Sequence, residues 1–349
     1  MSITAESLRH VLVPADEYCH APDAAANYNE SMYFNVFDPL TKVGGWFRLG
    51  NRVNEGYAEM SVCVYLPDGR VGFMYGRPKI SSNNEMNAGG LRFEVLEPFR
   101  NLRVTYDGKI CLLERPLEMA HPSTAFKSNP TLPCRISLDY RGVAPMYGGR
   151  PVLADGSDIP IDPEKSFAKA HYEQHVGARG TIAIGDESWP VDGYGLRDKS
   201  WGPRYWQAVS WYRWLPMNFG PNFAMMISIV GGEGDAVRRS GMVLHDGAYV
   251  PIRDARVESV WDENWYQTKL KAWARTDERE YNIDGRVLSM IPLRNRRKDS
   301  NGNLLMTRIT EGMTEFKCNN KIGYGMSEYL DQIVDGRPVG PDVITPAKK

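Results

Sequence analysis

The dipeptide Asp-Gly recurs along the whole chain and constrains its fold more than any other feature. It begins at Asp68, Asp107, Asp155, Asp192, Asp246, Asp284 and Asp335. Asp-Gly supplies the positive φ angles that tight hairpin turns need, so each occurrence is typical of a turn between two antiparallel strands. The spacing therefore predicts a meander of antiparallel strands.

The residues that flank these dipeptides alternate as strands do. The even positions from Met60 to Leu66 are apolar, whereas Glu59 and Ser61 stand between them. A period of two describes a strand with one face on a core. Helical patterns are few, and many evenly spaced strands indicate a sandwich or a barrel, in which closure removes exposed edges. The sequence thus predicts an all-β protein.

The chain is long enough for two domains. Its 349 residues, of which 42% are hydrophobic and 24% charged, exceed what one small domain needs to bury a core. A stretch rich in Gly, Pro and Asp between Pro145 and Pro163 separates two sets of Asp-Gly pairs. We expect one domain over residues 1–160 and a second, which carries Asp198, over residues 161–349.

The charge balance argues against several classes of partner. Lys and Arg total 42 and Asp and Glu total 43, so no net field favours nucleic acid or an anionic membrane. No apolar run approaches the roughly 20 residues that cross a bilayer, and the N-terminus lacks a signal-peptide pattern. Five scattered cysteines without a CxxC pair argue against a secreted disulfide framework. We expect a cytoplasmic location.

The segment from Asp192 to Trp206 is the densest in chemically useful side chains. Four of the nine tryptophans fall within it or just after it, namely Trp201, Trp206, Trp211 and Trp214. A carboxylate such as Asp198 in an aromatic, partly dry environment keeps its proton nearer to neutral pH. If the segment is a strand, Arg197 and Lys199 face away from Asp198 and toward solvent.

Two interpretations of Asp198 remain open at this point. Asp198 is an acid that faces a cavity, or it forms a structural ion pair with Arg204 while the tryptophans fill a core. Composition alone favours the ion pair, because structural networks also place carboxylates beside arginine.

Three stretches, in chain order, resemble the carotenoid 1,2-hydratase and AttH-like superfamily. Residues 193–204, Gly-Tyr-Gly-Leu-Arg-Asp-Lys-Ser-Trp-Gly-Pro-Arg, resemble its Gly-x-Gly-x-x-Asp-His-(Ser/Asn)-Trp-Gly-x-Arg signature. Residues 29–35 resemble its opening strand, and residues 323–330 resemble its closing Gly-Tyr-Gly-x-x-Glu-Tyr. The resemblance implies two tandem lipocalin-like (calycin) antiparallel β-barrels packed side by side. It also implies a relation in fold to hydratases of carbon–carbon double bonds and to cyclase-type enzymes.

The chain departs from this signature at two positions. Lys199 replaces the histidine that follows the aspartate, and Leu196 replaces the aromatic residue that often stands two positions before it. Tyr194, displaced by two positions, is a candidate substitute for that aromatic residue. Asp198 carries over from the family motif, whereas the substrate and the reaction do not.

A second cluster, His-Tyr-Glu-Gln-His from His171 to His175, precedes the aspartate. On a strand His171, Glu173 and His175 share one face. The glutamate stands in the wrong place for an HExxH or HxxEH zinc motif, and no Cys or carboxylate cluster completes a site, so we predict no metal. The open alternatives are an acid–base role for His171 or Glu173 and a purely structural one. The resembling family has this strand at a similar interval before its aspartate, which favours the first.

Two functions of different classes fit these observations. One is a cofactor-independent lyase, hydratase or isomerase that acts by acid catalysis on a hydrophobic small molecule, such as a terpenoid, a steroid or an aromatic-side-chain compound. The other is a carrier that binds a lipophilic ligand without chemistry. We favour the enzyme, because a buried acid among tryptophans has a stability cost that function explains. The expected long-range pairing of the opening and closing motifs favours a site at the seam between the barrels, and a homodimer is left open.

The expected catalytic residues are Asp198, His171 and Glu173. In this mechanism a protonated Asp198 delivers a proton to an alkene or a leaving hydroxyl, aromatic faces stabilise the cation, and His171 or Glu173 accepts a proton or positions water. The expected substrate-binding residues are Tyr194, Trp201, Arg204, Trp206, Trp211, Glu30, Tyr33 and Trp46. The sequence has no cofactor motif, so we predict that the reaction needs no cofactor.

Overall fold

The computed structural model describes residues 8–232, 236–298 and 301–340. Strands make up 64% of the chain and helices 7%, which confirms the all-β prediction. The strands are β1 (Arg9–Val11), β2 (Tyr28–Phe37), β3 (Gly44–Arg52), β4 (Tyr57–Tyr65), β5 (Val71–Gly76), β6 (Met86–Ala88), β7 (Leu91–Glu97), β8 (Asn101–Leu113), β9 (Thr131–Gly142), β10 (Tyr147–Val152), β11 (Ala170–Ile184), β12 (Glu187–Pro203), β13 (Trp211–Asn218), β14 (Phe223–Gly231), β15 (Val237–His245), β16 (Ala248–Pro251), β17 (Asp254–Trp261), β18 (Gln267–Arg275), β19 (Glu280–Lys298), β20 (Leu304–Cys318), β21 (Lys321–Val334) and β22 (Arg337–Pro338). The helices of the described residues are α1 (Pro122–Ser128) and four 3-10 turns, Pro14–Glu17, Val53–Glu55, Pro116–Ala120 and Trp206–Ala208.

The first sheet closes on itself. β9 pairs with both β8 and β11, and the circuit continues through β12, β2, β3, β4 and β5 back to β8. These eight strands form an antiparallel barrel, and β10, β1, β7 and β6 extend the sheet beyond it. Apolar side chains such as Phe34, Phe47 and Leu138 fill the interior. The alternating positions from Met60 to Leu66 belong to the same core, as their pattern predicts.

The second sheet has ten strands and packs beside the first. Its order is β16-β15-β14-β13-β21-β20-β19-β18-β17, with β22 paired to β21. β17 also lies against β14 and β15, so the sheet rolls around a core that includes Trp211 and Leu215. A shared apolar cluster, with Tyr33 and Trp46 from the first sheet and Met326 from the second, joins the two.

Four of the seven Asp-Gly pairs lie in turns and three do not. The pairs in turns begin at Asp68, Asp155, Asp246 and Asp335. The hairpin prediction is wrong for the pairs at Asp107, Asp192 and Asp284, which run through β8, β12 and β19. Glycine serves there to let a neighbour approach closely. A Cβ on Gly193 would lie 2.3 Å from the carbonyl oxygen of Phe37, and one on Gly285 would lie 2.7 Å from the Leu270 side chain.

The change from one sheet to the other does not coincide with the expected division at residue 160. β11 and β12, which that division assigns to the second domain, pair with each other and with β9 and β2 of the first sheet. The second sheet begins at Trp211. Asp198 therefore lies in a strand of the first barrel. Residues 1–7 and 341–349 of the two expected domains lie outside the described residues.

The alternation expected in β12 is present, but its basic residues do not face solvent. Arg197 and Lys199 are fully buried and point away from Asp198. Arg197 donates two hydrogen bonds to the carboxylate of Glu17, at 2.7 and 2.8 Å, and Lys199 pairs with Glu30. The expected exposure is wrong because the segment that contains Glu17 packs over this face of the strand.

Arg197→Ala tests how far the first barrel depends on this buried pair. Removal of the guanidinium would leave the Glu17 carboxylate buried without its counter-charge, which costs about 3–5 kcal/mol. Arg103, whose pair with Asp139 is exposed, provides the matched control, and Arg103→Ala should cost much less, because exposed ion pairs contribute little to stability. Urea denaturation measures both free energies of unfolding. Equal losses in the two variants would contradict a stabilising role for the buried pair.

Candidate active site

Asp198 lies in a row of polar side chains on the outer wall of the first barrel. Glu173 of β11 and Tyr33 of β2 are its direct partners in register, and Arg48 of β3 is the partner of Tyr33. Paired residues of antiparallel strands project to the same face. Because the intervening residues, such as Phe34, point into the barrel core, this row faces outward.

The second barrel covers this row. Trp214 of β13 donates a hydrogen bond from Nε1 to Oε1 of Glu173 at 2.7 Å, and its ring packs edge-on against Tyr33 with the centroids 5.6 Å apart. Glu328 of β21 lies opposite Trp214 in register, and Glu311 of β20 lies opposite Glu328. We call the space between these side chains and the outward row of the first barrel the seam.

His171 lies between the two carboxyl groups of the first barrel. Its Nε2 is 4.0 Å from Oε1 of Glu173 and 4.0 Å from Oδ2 of Asp198. The side chain of His171 is 48% exposed, that of Asp198 22% and that of Glu173 4%. Partial desolvation of the imidazole lowers the pKa of His171, but the carboxylates of Asp198 and Glu173 raise this pKa by more. The pKa of His171 therefore lies above its ordinary value. The three predicted catalytic residues thus lie together.

Burial changes the protonation of the carboxyl groups in the seam. It raises the pKa of Glu173 to about 7 and that of Glu328 to about 7. Burial, and then the neighbouring Glu328, raise the pKa of Glu311 well above its ordinary value. Oε2 of Glu311 is buried without a hydrogen-bond partner among the described residues. Carboxyl groups that hold protons near neutral pH are suited to general acid catalysis.

Aromatic side chains line the seam and tie the barrels together. Trp46 stacks on Tyr33 with the ring centroids 6.1 Å apart and donates from Nε1 to the hydroxyl of Tyr65 at 3.2 Å. Tyr65 in turn donates to the backbone carbonyl of Glu311 at 2.7 Å. The seam therefore combines acid groups with ring faces that can stabilise positive charge.

Arg204 and Trp206 lie just beyond the end of β12. Nη2 of Arg204 donates to Oγ of Ser200 at 2.7 Å, and its guanidinium is 5.3 Å from the ring centroid of Trp206. Within the described residues, Arg204 and Asp198 form no ion pair at 4.0 Å or less. The structural interpretation of Asp198, as the partner of Arg204, is therefore not supported.

Four of the predicted substrate-binding residues lie outside the seam. Glu30 and Trp201 point to the opposite face of the sheet, and Trp211 lies in the core of the second barrel. Tyr194 shares the face of Asp198 but stands four residues along β12, or about 13 Å away. These residues are near Asp198 or the opening motif in sequence, but strand alternation and distance separate them from the acid.

Two concavities on the surface of the protein lie away from the carboxyl groups of the seam. The larger, about 700 Å³, is lined by residues that include Tyr194, Arg141 and Arg179. The smaller, about 450 Å³, is lined by residues that include Asp158 and Lys169. The carboxyl groups whose pKa burial raises, Glu173, Glu311 and Glu328, lie between the barrels. We therefore place the candidate site in the seam and not at the larger concavity.

Several groups in the seam were not predicted from the sequence. They are Arg48, Tyr212, Trp214, Glu311 and Glu328. Glu328, which accepts a hydrogen bond from the Tyr212 hydroxyl, stands in the closing motif of residues 323–330 and could have been found there. Glu311 carries no such signal, because only its pairing with β21 brings it to the site.

Two further properties concern the described residues as a whole. None of their helices combines the length and the apolar character needed to span a membrane. No three of their His, Cys, Asp or Glu side chains are grouped in a way that could hold a metal ion.

The closed first barrel and the rolled second sheet packed beside it have a double-lipocalin fold. The chain belongs to the family described as Domain of unknown function (DUF7064), which matches residues 13–333. None of the curated proteins matches this chain.

Solved structures share this fold at low sequence identity. A candidate AttH protein of Nitrosomonas europaea has a TM-score of 0.58 at 13% identity, over 92% of this chain and 96% of its own. Kievitone hydratase of Nectria haematococca has a TM-score of 0.52 at 8% identity, over 90% and 93%. CghA, solved with Sch210972, has a TM-score of 0.50 at 12% identity, over 93% and 98%. These likenesses confirm the resemblance to the AttH-like superfamily at the level of the fold.

Glu173→Gln should change the dependence of stability on pH. The folded protein holds the Glu173 proton up to a pKa of about 7, whereas the unfolded chain releases it near 4.5, so the wild type loses stability as pH rises between these values. Glutamine still accepts the hydrogen bond from Trp214 and has no proton to lose. The loss should therefore shrink by up to about 3 kcal/mol.

Glu187→Gln, at an exposed position of β12, is the control for this measurement and should follow the wild type. Urea denaturation at a series of pH values gives the three stability profiles. Parallel profiles for Glu173→Gln and the wild type would show that Glu173 is not protonated in the folded protein.

Proposed function

We propose that this protein is a cofactor-independent enzyme that uses acid–base catalysis in the seam to hydrate, dehydrate or isomerise a hydrophobic small molecule. The observation that carries the proposal is the buried Glu173, whose pKa burial raises to about 7, within 4.0 Å of the imidazole of His171. Burial of a carboxyl group costs free energy. Carboxyl groups with a shifted pKa that cluster with a histidine are typical of catalytic sites.

The exposure of the three groups suggests their roles. Asp198 and His171 are partly exposed and Glu173 is buried, so the first two would meet the substrate. Asp198 would deliver a proton to an alkene carbon or to a departing hydroxyl oxygen, and Glu173 would restore that proton through His171. His171 would then take a proton from attacking water in a hydration, or from an adjacent carbon in a dehydration or isomerisation, and pass it to the Glu173 carboxylate.

Ring faces would stabilise the cation formed in such a reaction. Trp214, which donates a hydrogen bond to Glu173, and Tyr33, the register partner of Asp198, adjoin the acid groups and could hold positive charge over their faces. Trp201, which the sequence offered for this role, points to the opposite side of the sheet. We therefore transfer the role to Trp214 and Tyr33, whereas the ring of Trp206 is contacted by the guanidinium groups of Arg48 and Arg204.

The reaction class draws support from one protein of the same fold, which is named a hydratase. The finer proposals are a substrate of the terpenoid, steroid or aromatic-side-chain class and a cytoplasmic location. A homodimer stays open, and a nucleic-acid partner is not proposed because the charge is balanced.

Asp198→Asn is the central test of this function. Wild type and variant are incubated in heavy-oxygen water with a panel of isoprenoids, steroids and phenylpropanoids, and the products are measured by mass spectrometry. We expect the variant to lose about 10²–10⁴-fold in rate, which is the usual contribution of a positioned acid. Asp192→Asn, an exposed carboxylate on the same strand, should keep full activity.

The outcomes separate the reaction classes. A product that gains or loses one water with wild type alone indicates a hydratase or dehydratase, and an Asp198-dependent product of unchanged mass indicates an isomerase or cyclase. Full activity in Asp198→Asn would refute the catalytic role of Asp198. A ligand retained by both proteins without any product would favour the carrier.

A further inference from the structure

Arg204 is a buried cation that forms no direct ion pair among the described residues, although the lowering of its pKa by burial is partly offset by the more distant carboxylates of Asp198 and Glu59. It is 8% exposed, its Nη2 donates to Oγ of Ser200 at 2.7 Å, and its Nε is buried without a hydrogen-bond partner. Its guanidinium lies 4.0 Å from the ring centroid of Phe167 and 5.3 Å from that of Trp206. No described carboxylate comes within 4.0 Å of it. A buried charge without a partner is strongly destabilising.

A second guanidinium lies beside the first. Arg48 is centred 5.6 Å from the same ring of Trp206. Its Nη1 is 3.2 Å from a carboxylate oxygen of Glu59, but its Nη2 is buried and unpartnered in the described structure. Burial, and then the nearby Arg48, lower the pKa of Arg204 to about 10. Two like charges are therefore held close together without full compensation.

Asn29 adds a neutral amide to the same region. It is 1% exposed, and neither polar atom of its amide has a partner among the described residues. A Cβ on Gly50 would lie 2.8 Å from both Nη2 of Arg48 and Oδ1 of Asn29, so these two side chains meet over the glycine. The backbone N–H of Arg204 donates to the carbonyl of Asn27 at 3.0 Å, which brings Arg204 next to the start of β2, where Asn29 lies.

We infer that Arg204, Arg48 and Asn29 form a subsite for an anionic oxygen of the substrate, carried as a carboxylate, an enolate or a phenolate on a hydrophobic skeleton. Guanidinium groups bind such oxygens through charge-assisted hydrogen bonds, and an anion here would supply a direct ion-pair partner. The inference rests on the proposed function and adds the substrate class.

The position of this subsite fits the acid group. Ser200, which accepts the hydrogen bond from Arg204, stands two residues from Asp198 on the same face of β12, or about 7 Å away. An oxyanion bound at Arg204 would therefore place the adjoining carbon skeleton at Asp198. Glu173 and Glu328 hold protons near neutral pH, which limits their repulsion of an anionic substrate.

A matched pair of ligands tests the subsite. Cinnamate and cinnamamide have nearly the same shape and differ in charge, and calorimetric titration at neutral pH measures their affinities for the whole chain. We expect cinnamate to bind about tenfold more tightly than cinnamamide or better, as charge-assisted hydrogen bonds allow. Arg204→Met should abolish that preference, and Arg135→Met, at an exposed position, should leave it intact.

Thermal unfolding separates binding from a structural role. If Arg204 serves to bind an anion, the Arg204→Met variant should, without ligand, be as stable as the wild type or more stable. The reason is that the substitution removes a buried charge that has no ion-pair partner among the described residues. If Arg204→Met does not fold, Arg204→Lys replaces it, since lysine keeps the charge but loses the planar donors. This variant should then bind cinnamate several-fold more weakly.

Equal affinity of the wild type for the two ligands would overturn the inference. So would an unchanged preference in Arg204→Met, or in Arg204→Lys where that variant is used. Asp198→Asn is expected to keep the cinnamate preference while it loses turnover. If the subsite inference is wrong, turnover should still depend on Asp198. If the catalytic role of Asp198 is wrong, the protein should still prefer cinnamate to cinnamamide.

Discussion

The alternation of side chains along β12 is the constraint on which the rest of the structure depends. Arg197 and Lys199 turn into the first barrel, where the carboxylates of Glu17 and Glu30 neutralise them. Asp198, between them, must point outward. A slip of one residue in register would exchange the two sets and bury the aspartate beside the carboxylates of Glu17 and Glu30. The buried ion pairs thus help to fix the register that presents the acid to the seam.

The second barrel makes a site of this outward row by excluding water. A carboxyl group on an open sheet would ionise near its ordinary pKa, whereas burial between the two barrels raises the pKa of Glu173, on β11, and of Glu328, on β21, to about 7. The packing of Tyr33 and Trp46 against Met326 holds the second barrel against the first. The interface between the barrels therefore contributes both to the stability of the fold and to the protonation of the groups that would act on a substrate.

Much of this arrangement could be predicted from local patterns, and the rest depends on pairing. The alternation from Met60 to Leu66 and the motif of residues 193–204 identified a barrel strand and the acid. The same Asp-Gly dipeptide, however, permits both a tight turn and a close approach within a strand, so Asp107 was misplaced. Glu311 could not be found, because only the pairing of β20 with β21 and the docking of two barrels bring it to Asp198.

The protonation of the carboxyl groups in the seam near neutral pH can be measured directly. Infrared difference spectroscopy detects the C=O stretch of a protonated carboxylic acid at about pH 6, one unit below the pKa of Glu173. We predict such a band, its loss as pH rises through about 7, and its partial removal in Glu173→Gln and Glu328→Gln. A spectrum without that band, or a band that both variants retain in full, would show that Glu173 and Glu328 are ionised at this pH.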